Sequence, residues 1–321
     1  MLQKKPARRG VQTRSDDTVA ARICWHHFKE GLTQQEIAEK VGMSRATVNK
    51  IISEARANGL VRVTIDSDIS PCLELEGRLA EIFGLDEVVV APAPVRPLDA
   101  YLVVGHATGD YISRRLGKDQ MLGMTWGGTL YYAAQALEPR RSSNNVVVSL
   151  SGGLPKSTVI NPYDNASMFA RILNAECYYI TAPLIVESRA VKEAMLASES
   201  VASVLEIARR IDMAVLTVVD LSAQSKIMEH GVLTEELRQS LLEAGAVGNI
   251  CERYIDRHGD IVDHPINERT ISAPLDVVSQ APVRVLAGGG TYKVDILRAV
   301  LEKRLCNVLI TEEDAARALV A

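Results

Sequence analysis

Six short apolar runs, separated by helix-like stretches, constrain the fold of this chain more than any other feature. They are nearly continuous rather than alternating, as in strands that are buried on both faces of a parallel sheet. Helix-like stretches such as Tyr101–Leu116, Thr129–Leu137 and Asp295–Leu305 lie between them. The pattern predicts a large doubly wound α/β domain that begins near Cys72. The six runs are EVVVAP, NNVVVSL, AECYYITAP, DMAVLTVV, VRVLAGG and CNVLIT.

The segment LTQQEIAEKVGMSRATVNKIISEAR, residues 32–56, predicts two short helices joined by a tight turn. Thr33, followed three residues later by Glu36, is a capping box that begins the first helix. Gly42 can adopt the positive φ that ends this helix, and Ser44 can cap the second one. Two amphipathic helices with this connection are expected to form a helix-turn-helix, although any two-helix hairpin can share some of these features.

The exposed side of the second predicted helix carries side chains of the kinds that contact DNA. Arg45, Thr47 and Asn49 are expected to read bases, while Ser44 and Lys50 contact phosphates. The predicted partner is operator DNA. The residues predicted to bind it are Thr33, Ser44, Arg45, Ala46, Thr47, Asn49 and Lys50.

The charge distribution supports a DNA-binding N-terminal domain. Residues 1–62 contain twelve lysines or arginines against six acidic residues, whereas the whole chain has a formal net charge of -4. Such asymmetry is expected when only one domain meets phosphates. The basic arm QKKPARRGVQTRS, residues 3–15, either touches the DNA backbone or solubilises the chain. The alternating run LVRVTIDSDIS, residues 60–70, predicts a short strand that closes this domain.

Three glycine-rich loops predict a binding site for a phosphorylated ligand in the large domain. In doubly wound sheets, ligands bind at the carboxyl ends of the strands. Glycine lets backbone N–H groups approach an anion, and Thr129 and Lys293 add a hydroxyl and a positive charge near helix starts. One such loop could be an ordinary tight turn, but three at one edge favour a small phosphorylated ligand. The loops are LGMTWGGTL (122–130), VVVSLSGGLP (146–155) and VLAGGGTYK (285–293).

Composition argues against several other classes of protein. The five cysteines form no C-x-x-C pair and the six histidines show no H-E-x-x-H spacing, so no metal, cofactor or disulfide framework is predicted. No apolar run reaches the roughly 18 residues that a membrane span requires. The expectation is a cytoplasmic protein with no membrane partner.

Several segments, in their order, carry a resemblance to a known family. They extend from about Thr18 to the C-terminus and comprise the helix-turn-helix, LGMTWGGTL, NASMFARILNAECYYITAPLIVES, EHGVLTEELRQ, AVGNICERYIDRHG and NVLITEEDAARALV. In these segments the chain resembles the SorC family of bacterial transcriptional regulators. The resemblance implies a sugar-binding domain that has the fold of phosphosugar isomerases. This domain would sense a phosphorylated sugar or polyol, and the protein would form a dimer or tetramer.

The resemblance also implies which residues bind the effector. By motif position, Gly123–Thr129 is the ligand loop, Lys293 meets phosphate, and Asn165 and Asn249 lie near the sugar. Residues 1–66 would form the DNA-binding domain with its basic arm, and residues 67–321 the effector and oligomerisation domain. The predicted effector-binding residues are Gly123, Thr125, Trp126, Gly127, Gly128, Thr129, Gly152, Gly153, Asn165, Asn249 and Lys293.

The sequence departs from the family pattern at two places. Thr217 and Val219 stand where the family usually has the glycines of a G-I-G turn, and Asn249 stands where it often has an acidic residue. Each change would reshape contacts to hydroxyl groups, so the identity of the ligand does not follow from the resemblance.

The competing class is an enzyme resembling a sugar-phosphate isomerase. Such an enzyme needs a carboxylate or histidine poised to move a proton between adjacent carbons. Asp220, Asp256 and His258 are available, but they form no recognisable acid/base pair in the sequence. We therefore expect a regulator without catalytic residues.

A regulator with one recognition helix per chain is expected to act as a homo-oligomer. Pairing two heads doubles the DNA sequence that is read. Leu73, Leu75, Leu79 and Ile82 give the segment 73–83 an apolar side, which could hold a partner subunit or pack on its own domain. We expect the effector to change the spacing of the heads and so their occupancy of the operator.

Overall fold

A computed structural model of the chain describes residues 12–57, 60–61, 70–96, 99–141, 143–156, 161–223 and 225–321. The chain divides into two compact units, Met1–Ser67 and Asp68–Ala321. The predicted arm falls mainly on residues 1–11 and the predicted strand mainly on residues 62–69, which lie outside the described residues.

The N-terminal unit contains three helices, α1 (Gln12–Phe28), α2 (Gln34–Val41) and α3 (Arg45–Ala57). The predicted capping box is confirmed at the start of α2, where the Glu36 amide donates to Thr33 Oγ1 at 3.3 Å and the Thr33 amide donates to Glu36 Oε2 at 2.8 Å. Gly42 ends α2 with φ of 67°. The core of the unit is formed by Ile23, Ile37, Ala38, Val48 and Ile52.

The helix α1 was not predicted as a part of this core. It supplies Ile23, whose side chain is fully buried against α2 and α3. The polar sequence of α1 gives little periodic signal because only a narrow side of the helix is buried. The helix-turn-helix is therefore formed by the second and third helices of the part of this unit that the structure describes.

The large unit is built on a parallel sheet. Its strands, in chain order, are β1 (Glu87–Ala91), β2 (Met121–Met124), β3 (Val146–Ser149), β4 (Glu176–Tyr178), β5 (Met213–Asp220), β6 (Gly248–Ile250), β7 (Arg253–Ile255), β8 (Val283–Ala287) and β9 (Val308–Glu312). Seven strands are parallel in the order β1-β9-β8-β5-β2-β3-β4, and the hairpin β6–β7 adds antiparallel to the end of β5. The predicted fold class is confirmed.

Helices cover both faces of this sheet, which explains why its strands are continuously apolar. One apolar core includes α4, α9, α13 and α14, and the other includes α5, α6 and α7. Neighbouring residues such as Val147 and Val148 point into opposite cores. The helices are α4 (Ser70–Phe83), α5 (Ala100–Arg115), α6 (Gly128–Ala136), α7 (Pro162–Leu173), α8 (Arg189–Ala197), α9 (Glu199–Ala208), α10 (Lys226–Glu229), α11 (Glu235–Glu243), α12 (Leu275–Val278), α13 (Val294–Glu302) and α14 (Glu313–Val320).

The apolar side of α4 is only partly buried in the core of its own domain. Leu75 and Leu79 are buried in the first of the two cores, whereas Leu73 and Ile82 are exposed by 44% and 52%. No helix in the described ranges combines the length and apolar character that crossing a bilayer requires.

Candidate functional site

A cavity of about 790 Å³ opens at the carboxyl ends of β2, β5 and β8 in the large unit. The loop from β2 to α6 contributes Trp126–Thr129, the end of β5 contributes Thr217–Asp220, and the segment after β8 contributes Tyr292 and Lys293. Four residues of the predicted 123–129 loop thus meet Lys293 around one space. Parallel strands bring these distant segments together because their carboxyl ends share one edge of the sheet.

The N-terminus of α6 forms one wall of this cavity. Gly127 precedes the helix with φ of +123°, a conformation that L side chains rarely adopt, and Gly128 and Thr129 occupy the first turn. The partial positive charge and N–H groups of a helix N-terminus favour an anion. Asn165 does not line the cavity; its Oδ1 accepts the Gly127 amide at 2.9 Å and so holds the loop from behind.

Two threonines hold the loop against β5. The Thr217 amide donates to Thr125 Oγ1 at 2.9 Å, and Thr217 Oγ1 donates to the Trp126 carbonyl at 2.7 Å. The residue that replaces a glycine of the family pattern thus fixes the backbone next to Gly127. Gly123 lies in β2, where a Cβ atom would come within 2.6 Å of Ile211 Cδ1, so this glycine serves close packing.

Lys293 places a positive charge in the cavity at the end of a short 3-10 helix, Thr291–Lys293. Its Nζ donates to the Val218 carbonyl at 3.1 Å, and within the described ranges no carboxylate oxygen lies within 4.0 Å of it. Burial lowers the pKa of Lys293, while the charge of Asp220 acts in the opposite direction. Burial, with Asp220 and Glu312, also raises the pKa of the neighbouring Tyr292 to about 12.

The third glycine loop is fixed by a buried carboxylate that the sequence did not predict as a site residue. Gly290, with φ of +94°, donates its amide to Glu312 Oε1 at 3.0 Å. The same carboxylate accepts the amides of Asp314 and Ala315 at 2.7 and 2.9 Å and caps α14. An acidic residue at a helix start was the available signal, but its bond to Gly290 depends on tertiary contact.

The second glycine loop lies outside this cavity. The amides of Gly152 and Gly153 already donate to the carbonyls of Ile271 and Ala182, each at 2.9 Å. A Cβ atom at Gly153 would lie 2.2 Å from the Tyr163 ring, so close packing explains this glycine. Gly153 lines a separate cavity of about 370 Å³ with Leu154, Pro155, Lys156, Pro183, Leu184, Ile185, Glu229, His230, Gly231 and Val232.

Asn249 leads to a second buried carboxylate that the sequence did not single out. Asn249 lies in β6 opposite Val219 and does not line the larger cavity, and its side chain acts to lower the pKa of Glu252. Glu252 Oε1 accepts the indole N–H of Trp126 at 2.6 Å and the hydroxyl of Ser151 at 3.0 Å. Burial raises the pKa of Glu252, and these two hydrogen bonds oppose that shift. Glu252 therefore joins the loops that follow β2 and β3.

The predicted DNA-binding residues lie at the start and on the exposed side of α3. Ser44, Arg45, Ala46, Thr47, Asn49 and Lys50 are all exposed. Ser44 Oγ accepts the Thr47 amide at 3.1 Å and thereby caps α3. Gln34 Nε2 donates to Asn49 Oδ1 at 3.1 Å, and Lys50 Nζ lies 3.8 Å from Glu54 Oε1. Thr33 is exposed too, but its hydroxyl belongs to the capping box of α2.

Comparison with known proteins agrees with both units. Residues 67–321 match the family model "Putative sugar-binding domain", and residues 29–62 match "Winged helix-turn-helix DNA-binding". The Erythritol catabolism regulatory protein EryD of Brucella abortus is 31% identical over 309 residues, which cover 95% of this chain and 97% of EryD. The chain belongs to the SorC family of sugar-binding transcriptional regulators.

Two further known proteins are similar to this chain over nearly its whole length. The Deoxyribonucleoside regulator of Bacillus subtilis is 29% identical over 94% of this chain and 96% of that protein. The crystal structure of the full-length sorbitol operon regulator SorC from Klebsiella pneumoniae matches with a TM-score of 0.73 at 22% identity, over 96% of this chain and all of that one. The predicted family, and with it a sugar-binding transcriptional regulator, is confirmed.

Proposed function

We propose that this regulator binds operator DNA through α3 and is controlled by a phosphorylated sugar or polyol bound in the larger cavity. The observation that carries the proposal is that Lys293 lines the same cavity as the N-terminus of α6. The Lys293 ammonium donates one hydrogen bond to a carbonyl, which leaves two of its three donors for a ligand. Together with Gly128 and Thr129, it offers a phosphate group several donors and a favourable potential.

The volume of the cavity and the names of the relatives support a small carbohydrate or polyol as the part of the ligand that carries the phosphate. A space of about 790 Å³ lies within the range of sites that hold small molecules. One relative is named for erythritol catabolism and another for deoxyribonucleosides. Both names concern polyhydroxylated carbon compounds, which supports a carbohydrate or polyol catabolic operon as the target of this regulator.

We propose that the chain regulates and does not catalyse. Of the three groups available for proton transfer, only Asp220 lines the larger cavity. Asp256 and His258 lie in the turn after β7, where Asp256 Oδ1 accepts the His258 amide at 2.8 Å. The cavity wall also carries the carboxylates of Asp99 and Glu229. The support for a regulator is therefore the helix-turn-helix, for which an isomerase has no use, together with relatives that are named as regulators.

For the DNA-binding unit we propose that Arg45, Thr47 and Asn49 read bases in the major groove while Ser44 and Lys50 contact phosphates. Their exposure at the start of α3 supports this assignment, since the N-terminal part of a recognition helix approaches the base edges. We further propose a cytoplasmic homo-oligomer, either a dimer or a tetramer. The exposed Leu73 and Ile82 of α4 provide an apolar surface that a partner subunit could cover.

Matched pairs of ligands test the proposed effector class. Thermal unfolding of the full chain is followed with erythritol and erythritol 4-phosphate, ribitol and ribitol 5-phosphate, and 2-deoxyribose and its 5-phosphate. A phosphorylated ligand at 100 times its Kd adds about 2.7 kcal/mol to the free energy of unfolding. At least one phosphate ester should stabilise the protein far more than its parent compound. Equal stabilisation by both members of every pair would refute the phosphate site.

A further inference from the structure

The last residue of β5 places a carboxylate in the larger cavity for which the phosphate site has no use. Asp220 is 4% exposed and lines the same space as Lys293. Its Oδ2 accepts two hydrogen bonds from Ser222, one from the amide at 3.0 Å and a shorter one from the hydroxyl. This oxygen is therefore held in a fixed position.

The other oxygen of this carboxylate, Oδ1, differs from Oδ2 in its hydrogen bonding within the described ranges. Within the described ranges no side chain or amide donates to Asp220 Oδ1, and no cationic nitrogen lies within 4.0 Å of the carboxylate. A carboxylate oxygen only accepts hydrogen bonds, so it repels a phosphate and attracts an O–H group. The cavity thus presents donors at the α6 N-terminus and at Lys293, and an acceptor at Asp220.

The register of β5 relates the acceptor to the donors. Val218 and Asp220 are two residues apart on this strand, and the Val218 carbonyl is the group that holds Lys293 Nζ. The charge of Asp220 is close enough to Lys293 to affect its pKa, although the two do not form an ion pair. Asp220 and Lys293 thus line the same cavity close to one another, which is the arrangement that a phosphate ester with a hydroxylated carbon chain requires.

We propose that Asp220 determines the specificity of the effector site by accepting a hydrogen bond from a hydroxyl group on the carbon chain of the phosphate ester. The cavity then selects polyol and sugar phosphates against phosphate esters of equal length that lack hydroxyl groups. This inference rests on the proposed phosphate site, and it adds the recognition of the hydroxylated part of the ligand.

Two pairs of phosphate esters test this role. Glycerol 3-phosphate is compared with n-propyl phosphate, and erythritol 4-phosphate with n-butyl phosphate, by calorimetric titration of the full chain. For at least one pair, the hydroxylated ester should bind the wild-type protein about tenfold or more tightly, as expected for a hydrogen bond to a charged group. Asp220→Ala should bind both members of that pair with nearly equal affinity. The alkyl phosphate should bind this variant at least as well as it binds the wild type, because a repelling charge is removed.

Two further variants separate recognition from effects on folding. Asp220→Asn retains an oxygen that can accept from Ser222, so it preserves the turn while removing the charge, and its preference for hydroxylated esters should also fall. Asp260→Asn makes the same chemical change at an exposed carboxylate away from the cavity, whose Oδ1 accepts from Lys303 Nζ at 2.6 Å, and should keep the preference of the wild type.

The outcomes distinguish this inference from the proposed function. If no phosphate ester binds the wild type, the phosphate site itself is wrong. If the esters bind but both Asp220 variants keep the wild-type preference, the phosphate site stands and the role of Asp220 is overturned. Loss of alkyl phosphate binding in a folded Asp220→Asn protein would also overturn it, since that result assigns Asp220 to the shape of the cavity.

Discussion

Replacing Lys293 by methionine should weaken effector binding without weakening the fold. Methionine retains much of the aliphatic chain but removes the ammonium, which donates to the Val218 carbonyl at 3.1 Å. Because burial holds the pKa of Lys293 below its usual value, the charged form is less favourable in the folded protein than in water. Without effector, the variant should therefore unfold at the same temperature as the wild type or at a higher one.

The loss of affinity follows from the single contact that is removed. A hydrogen bond to a charged group contributes about 1.5–3 kcal/mol, which corresponds to roughly 10- to 150-fold in Kd. Gly127–Thr129 still offer the helix N-terminus, so binding should weaken rather than disappear. At an effector concentration of 100 times the wild-type Kd, the stabilisation should fall from about 2.7 kcal/mol to about 0.3–1.4 kcal/mol.

Calorimetric titration and thermal unfolding measure both parts of this prediction. Lys303→Met is a matched control, because it makes the same chemical change at an exposed lysine whose Nζ bonds to Asp260 Oδ1 at 2.6 Å, away from the cavity. This control should leave the Kd unchanged. The reasoning is refuted if Lys293→Met binds the phosphate ester as tightly as the wild type does, or if a parent compound without phosphate loses affinity by the same factor.

Three other predictions concern the remaining features. Arg45→Ala should weaken operator binding by roughly 1–3 kcal/mol and relax the preference for one base position, measured by binding to operators with single base substitutions. Equal losses on all DNA sequences would show that Arg45 contacts the DNA backbone. Trp126→Phe and Glu252→Met should show a coupling energy of about 0.5–3 kcal/mol in effector binding, measured by a double-mutant cycle, because each removes the same 2.6 Å hydrogen bond; additive effects would contradict a shared role. Operator DNA should change the affinity for the effector by the same factor as the effector changes the affinity for DNA, and superimposable effector titrations with and without operator would exclude the proposed coupling.

Features set by local chemistry could be predicted from the sequence. Thr33, Glu36 and Gly42 define the ends of α2 through contacts within a few residues, so the helix-turn-helix follows from their spacing. The position of the larger cavity also followed, since the carboxyl ends of parallel strands meet at one edge whatever their exact order. The ends of α2 depend on short-range geometry, and the position of the cavity depends on a general property of the fold.

Contacts between distant segments could not be predicted in this way. The hairpin β6–β7 turns at Cys251 and Glu252, whose φ angles of 46° and 60° are those that glycine or asparagine usually supplies, so the turn has no local signal. Glu252 reaches Trp126 across 126 positions of sequence. A glycine that admits a ligand also looks the same in sequence as one that permits close packing, and Gly153 is of the second kind.

The predicted strand AECYYITAP shows a further limit. In the structure β4 spans only Glu176–Tyr178; it lies at the edge of the sheet and, within the described residues, pairs with β3. The residues that follow it, Tyr179, Ile180 and Thr181, lie beyond the end of the strand, and among them Ile180 is fully buried. An apolar run thus predicts burial more reliably than it predicts the length of a strand.

The tryptophans of this chain give each unit its own optical signal. There are only two of them, and Trp25 in α1 is 58% exposed, whereas Trp126 in the cavity wall is 6% exposed and bonded to a carboxylate. An indole that is buried and hydrogen-bonded emits differently from one in water. Replacing Trp25 by phenylalanine therefore leaves a chain whose tryptophan emission comes from the cavity wall alone. If the effector binds in this cavity as we propose, Trp126 should report its binding, and the occupancy of the cavity could be followed without attaching any dye.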